Sequence, residues 1–148
     1  MSHVVKTIVA AALALSGVTF ASASHAGDFS NFIDPTGTKV SACEDPYFLK
    51  KISARFDYQV SHVPNLPDVS ITDFRDIHEH RYFPRTEEWP IGRRYCGATV
   101  VLSDGSKRDL WYLIEARMGF VAANQNVEFC VSGFDRWFVY NGRCRVLR

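Results

Sequence analysis

Four cysteines constrain this chain more than any other feature. Cys43, Cys96, Cys130 and Cys144 form an even set, and none belongs to a Cys-x-x-Cys pair. Thiolate zinc sites draw on such close pairs. The wide spacing therefore predicts two disulfides, no metal held by sulfur, and an oxidising compartment. The N-terminus points the same way. Lys6 precedes an apolar run from Thr7 to about Ala21, and the small residues Ser24 and Ala26 follow at the spacing of a cleavage site. The run is too short and too rich in Ala and Ser for a membrane span of about 20 residues. Residues 1–26 are thus expected to be a secretory signal peptide. Residues 27–148 are expected to be one exported domain, periplasmic or secreted, with no membrane span.

A mature chain of that size can bury roughly two-thirds of its unfolded surface around one core. The whole chain carries 17 basic and 16 acidic residues. Lys6 lies in the leader, so the mature part is balanced. Neutrality gives no pull toward nucleic acid, and none is expected as a partner. No repeat or low-complexity tract interrupts the chain.

Gly27 to Val40 is rich in turn-forming residues and reads as a loose lead-in. A helix should follow. Asp45 and Pro46 suit its N-cap and first helical position, while Ser41 with Glu44 offers a competing capping box one turn earlier. Leu49, Ile52, Phe56 and Val60 recur at helical spacing, with Phe48 beside them. The helix should end before Pro64. Ile71 to Phe83 then reads as a strand. Its apolar residues Ile71, Phe74 and Ile77 break alternation, which predicts a bulge near Asp73. In Arg93 to Leu102, by contrast, Cys96, Ala98, Val100 and Leu102 alternate on one face.

Ser103-Asp104-Gly105 marks a hairpin turn, from which Arg108 to Ala116 returns. A three-residue loop sets Val100 against Arg108, Ala98 against Leu110 and Cys96 against Tyr112, which keeps the apolar faces together. Asn126 to Ser132 is a further strand. Asn141-Gly142 predicts a second tight hairpin between 137–140 and 143–146, with Trp137, Val139, Cys144 and Val146 facing the core. This order implies an α+β domain. One N-terminal helix packs on a curled antiparallel sheet of four to six strands, a shape shared by cystatin-like and NTF2-like domains.

Four cysteines allow three pairings. If the three central strands form a meander, Cys96 and Cys130 flank the strand between them. Their strands are then roughly 9–10 Å apart, beyond the ~7 Å reach of a disulfide. That removes Cys96–Cys130 and its complement Cys43–Cys144. Of the two pairings left, Cys130–Cys144 joins consecutive segments across a short loop. The expected bridges are therefore Cys43–Cys96 and Cys130–Cys144.

The stretch FCVSGFDRWFVYNGRCRVLR at 129–148, with RRYC at 93–96 and LWYLIE at 110–115, resembles a group of short exported bacterial proteins with four cysteines and no assigned function. The resemblance covers most of the mature chain. It implies export and disulfides, and brings no catalytic residues with it.

Three groups of side chains remain as candidate sites. His78 and His80 share a strand face and could grip one cation, but Asp76 is too far along a straight strand to complete the site. No metal is therefore expected. Glu115, Glu128 and Asp135 could form an acid–base pair only if close and differently buried. The expected hairpin groups Arg136, Phe138, Tyr140, Arg143 and Arg145, residue types common in binding hot spots. There is no nucleophile elbow, phosphate loop or HExxH helix. The reading is an exported binding or interaction domain without catalysis or cofactor. Its expected partner is a protein, or an anionic or envelope ligand. The alternative is a small hydrolase or lyase with a cavity between helix and sheet. N-terminal sequencing of exported protein should begin at Gly27; a start at Met1 or Ser2 would refute the leader.

Overall fold

The computed structural model describes residues 41–118 and 124–148. The expected leader and lead-in fall outside these residues. Both candidate helix starts are used. Ser41 caps a 3-10 turn at Ala42–Glu44 by accepting from the Cys43 N–H. Asp45 then caps helix α1, Pro46–His62, by accepting from the Tyr47 N–H at 2.9 Å. The helix stops at Val63, which is extended because the ring of Pro64 disfavours helical geometry before it. The apolar stripe Phe48, Ile52, Phe56 and Val60 is buried.

Strands β1 (Ile71–Phe83), β2 (Arg93–Leu102), β3 (Lys107–Met118) and β4 (Asn124–Val131) form one open antiparallel sheet in sequence order. The central register sets Val100 opposite Arg108, Ala98 opposite Leu110 and Cys96 opposite Tyr112, as the turn length dictates. Gly105 supplies the left-handed residue of that turn with φ +81°. Strand β1 slips register three times against β2, between Ile71 and Asp73, Arg75 and His78, and Glu79 and Arg81. Each slip inserts one extra residue. This explains how Ile71, Phe74 and Ile77, three residues apart, all pack on the core. Strict pleating would send alternate members outward.

Helix α1 covers one face of the sheet. Its stripe meets Val100, Leu102, Leu110, Tyr112, Ile114, Val127 and Val131 in one core. The helix also shields the β4 edge. Arg55 donates to the Val127 carbonyl at 2.6 Å and Lys51 to the Gln125 carbonyl at 3.3 Å. The Cys43–Cys96 disulfide ties the 3-10 turn to β2. Beside it the buried Tyr112 hydroxyl donates to the Cys43 carbonyl at 2.6 Å. Burial, with the charge of Glu44 adding to it, pushes this phenol far up, so it stays a donor. Among the described residues no helix is long and apolar enough to cross a membrane.

The expected C-terminal hairpin does not form. Cys130 lies on the sheet face away from α1, opposite Trp111, and bonds to Cys144. This draws the last segment across that face. Asn141 and Gly142 take the positive φ their sequence signals, 58° and 61°. The left-handed run then continues through Arg143 and Cys144 instead of returning to a strand. Trp137, Val139 and Val146, expected in the core, are exposed. Cys144 and Leu147 are the side chains buried there, against Leu113 and Cys130.

Replacing Cys43 and Cys96 together with Ala should cost about 2–4 kcal/mol. Urea unfolding of the double variant, read by circular dichroism, measures the loss. An unchanged midpoint would show that this bridge does not hold the fold.

Candidate binding surface

The two histidines lie on the face left open by α1. His78 Nδ1 is 2.8 Å from the Asp76 carbonyl, so Nδ1 donates. Its ring fits only because position 97 is glycine. A Cβ there would lie 2.7 Å from His78 Nε2 and 3.0 Å from the Trp111 ring. His80 sits in the bulge and meets Trp111 edge-on at 5.2 Å. The two imidazoles are 6.4 Å apart, centre to centre. Among the described residues no three His, Cys, Asp or Glu side chains gather into a cation site.

Two of the three candidate carboxylates, Glu115 and Asp135, are engaged in structure. Glu115 is buried and accepts from Arg93 Nε at 3.0 Å. Asp135 accepts from the Val139 N–H at 2.8 Å and the Tyr140 N–H at 3.0 Å, one on each oxygen. Burial, with the negative charges of Glu128 and Asp135 adding to it, pushes the Tyr140 phenol up.

Those two bonds to Asp135 shape the C-terminal loop. Gln59 of α1 adds a bond to the Phe134 carbonyl at 2.8 Å, and Cys144 is fixed by its disulfide. Between these anchors Trp137, Phe138 and Val139 are 65 %, 70 % and 67 % exposed. Phe138 is also left-handed, with φ 54°. A bulky residue in that region costs on the order of 1–2 kcal/mol.

The residues grouped from sequence are redistributed. Arg136, Phe138 and Arg143 line one cleft of 410 Å³ with Leu66 and Pro67. Tyr140 lines a second cleft of 280 Å³ on the other side of the loop, which it shares with Arg136, Arg55 and Gln59. Arg145 belongs to neither; its guanidinium braces the turn on the Asn141 carbonyl at 2.9 Å. Sequence reasoning missed a third cleft of 410 Å³ between β1 and β2, where Phe83, Trp89, Ile91, Arg93 and Tyr95 meet. Its signal was a tryptophan in an otherwise polar connection, next to Pro90.

Comparison with protein-family models, curated proteins and solved structures finds no match for this chain.

The histidine patch makes stability depend on pH. Burial and the adjacent Arg81 hold His80 below its ordinary value of 6.5; a bond to the Arg148 backbone opposes them, and His78 adds to the lowering. The unfolded chain therefore takes up a proton before the folded one does. Stability is full above pH 6.5 and falls as pH drops through 6.5 toward the folded value. Urea unfolding at pH 7.5 and 5.5 should show this loss, and His80→Gln should reduce it. An equal loss in both proteins would assign the effect to other groups.

Proposed function

We propose that this protein is an exported, non-catalytic binding module that grips a protein partner through its C-terminal loop. One observation carries the reading: three consecutive large apolar side chains, Trp137, Phe138 and Val139, stand exposed on a loop anchored at both ends. Monomeric proteins seldom expose such a run unless something covers it. The left-handed Phe138 sharpens the point, because the chain bears backbone strain there without gaining burial. Aromatic anchors rimmed by arginine are the composition of binding hot spots. The rims of the β1–β2 cleft are less available. Phe83 already packs edge-on against Tyr95 at 6.0 Å, and Arg93 is paired with Glu115.

Two disulfides favour an oxidising compartment, which suits the exported destination. The helix followed by an antiparallel meander is the order of a cystatin-like or NTF2-like scaffold, used here to hold the loop still rather than as a guide to activity.

The test pairs stability with affinity. Phe138→Asn should keep the fold and raise its stability by up to about 1 kcal/mol, since Asn tolerates the left-handed region. Trp137→Ser should leave stability within about 0.5 kcal/mol. A partner captured from envelope extract, then purified, should bind each variant more weakly, by about 2 kcal/mol for a true anchor. Full affinity in both variants, or capture by phospholipid vesicles alone, would refute a protein-binding loop.

A further inference from the structure

The cleft beside the loop bears on the chemistry of the partner. Building on the binding-loop reading, we infer that the cleft between Arg136 and Arg143 receives a carboxylate of the partner, an Asp or Glu side chain adjoining an apolar residue. Both arginines line this 410 Å³ cleft. Neither has an ion-pair or hydrogen-bond partner among the described residues. The lining carboxylate, Asp135, does not neutralise them by pairing, because its two oxygens accept from the Val139 and Tyr140 N–H groups. Arg145 serves as an internal contrast, since its bonds to Asn141 commit it to the turn.

The planar fork of a guanidinium matches a carboxylate. At the tip of the loop the N–H groups of Phe138, Val139, Tyr140 and Asn141 are already donated within it, so the arginine side chains supply the donors there. Leu66, Pro67 and Phe138 line the same space, so an apolar side chain next to the acid has a surface to cover. The left-handed φ of Phe138 and Arg143 and the disulfide at Cys144 fix the loop beforehand. Less ordering is then required when the ligand arrives.

Calorimetric titration of the oxidised full mature chain tests this with two synthetic peptides, Ac-Glu-Phe-Glu-Leu-Glu-amide and its analogue with every Glu replaced by Gln. The acidic peptide should bind at least about tenfold more tightly, the scale of one charge-assisted hydrogen bond. Arg136→Gln with Arg143→Gln should abolish that preference and leave the unfolding midpoint nearly unchanged. Trp137→Ser should weaken both peptides alike. Equal binding of the two peptides, with Trp137→Ser still weakening both, would overturn the carboxylate assignment and leave the binding loop standing. Failure of the acidic peptide to bind overturns it too. So does tighter binding of inorganic phosphate or phosphatidylglycerol vesicles that depends on the same two arginines. Loss of the loop reading itself is read separately, as full affinity of Trp137→Ser for the captured partner.

Discussion

An open sheet with one helix has two faces and a cover for only one of them. The Cys130–Cys144 disulfide resolves this by drawing the C-terminal segment over the second face. Leu147 and Cys144 fill the gap above Leu113 in place of a second layer. The rest of the surface follows from that bond. Because Cys144 is held at the sheet, the chain before it must turn tightly within a few residues. Four successive residues, Asn141 to Cys144, take positive φ to do so. L-residues resist such a run, and the covalent tether together with the Arg145 brace sustains it.

The first disulfide works on the opposite face. Cys43 and Cys96 are fully buried, and the Tyr112 hydroxyl closes the polar end of that junction. The entry to α1 is thereby fixed to the middle of the sheet, and the helix can lie along β4 and bond to its exposed carbonyls. The β1 edge is handled differently. Three bulges twist it out of regular pairing geometry, an arrangement that discourages another strand from adding there.

The Gln59 bond to the Phe134 carbonyl and the Cys130–Cys144 bridge hold the two ends of the loop from Asp135 to Cys144 without burying its tip. The N–H groups of Phe138, Val139, Tyr140 and Asn141 are donated within the loop, while the side chains of Trp137, Phe138 and Val139 remain in solvent. Polar groups satisfied inward and apolar groups directed outward reverse the usual arrangement of a surface loop. Arg136 and Arg143, which have no ion pair among the described residues, line the same cleft as Phe138.

Much of the fold was legible in the residues. Asp45-Pro46, the stripe from Ile52 to Val60 and the three-residue turn at Ser103 each encode local geometry, and short-range sterics and hydrogen bonds enforce it. The spacing of Ile71 and Phe74 already announced a bulge, because a pleat cannot place residues three apart on one face. Strand spacing removed one disulfide pairing once the meander was assumed, and the short loop between Cys130 and Cys144 chose between the other two. The C-terminal segment was misread for a physical reason. Asn141-Gly142 carries a hairpin signal, and alternation from Trp137 to Val139 reads as a strand, but both are local cues. The pull of Cys130 across the sheet is a long-range constraint that no local pattern records. Sequence alone determined the helix, the strands and the cysteine framework. Only the tertiary structure decided that Trp137, Phe138 and Val139 face solvent and that Arg136 and Arg143 meet in one cleft, since exposure depends on which surface the tethered chain is forced to cover.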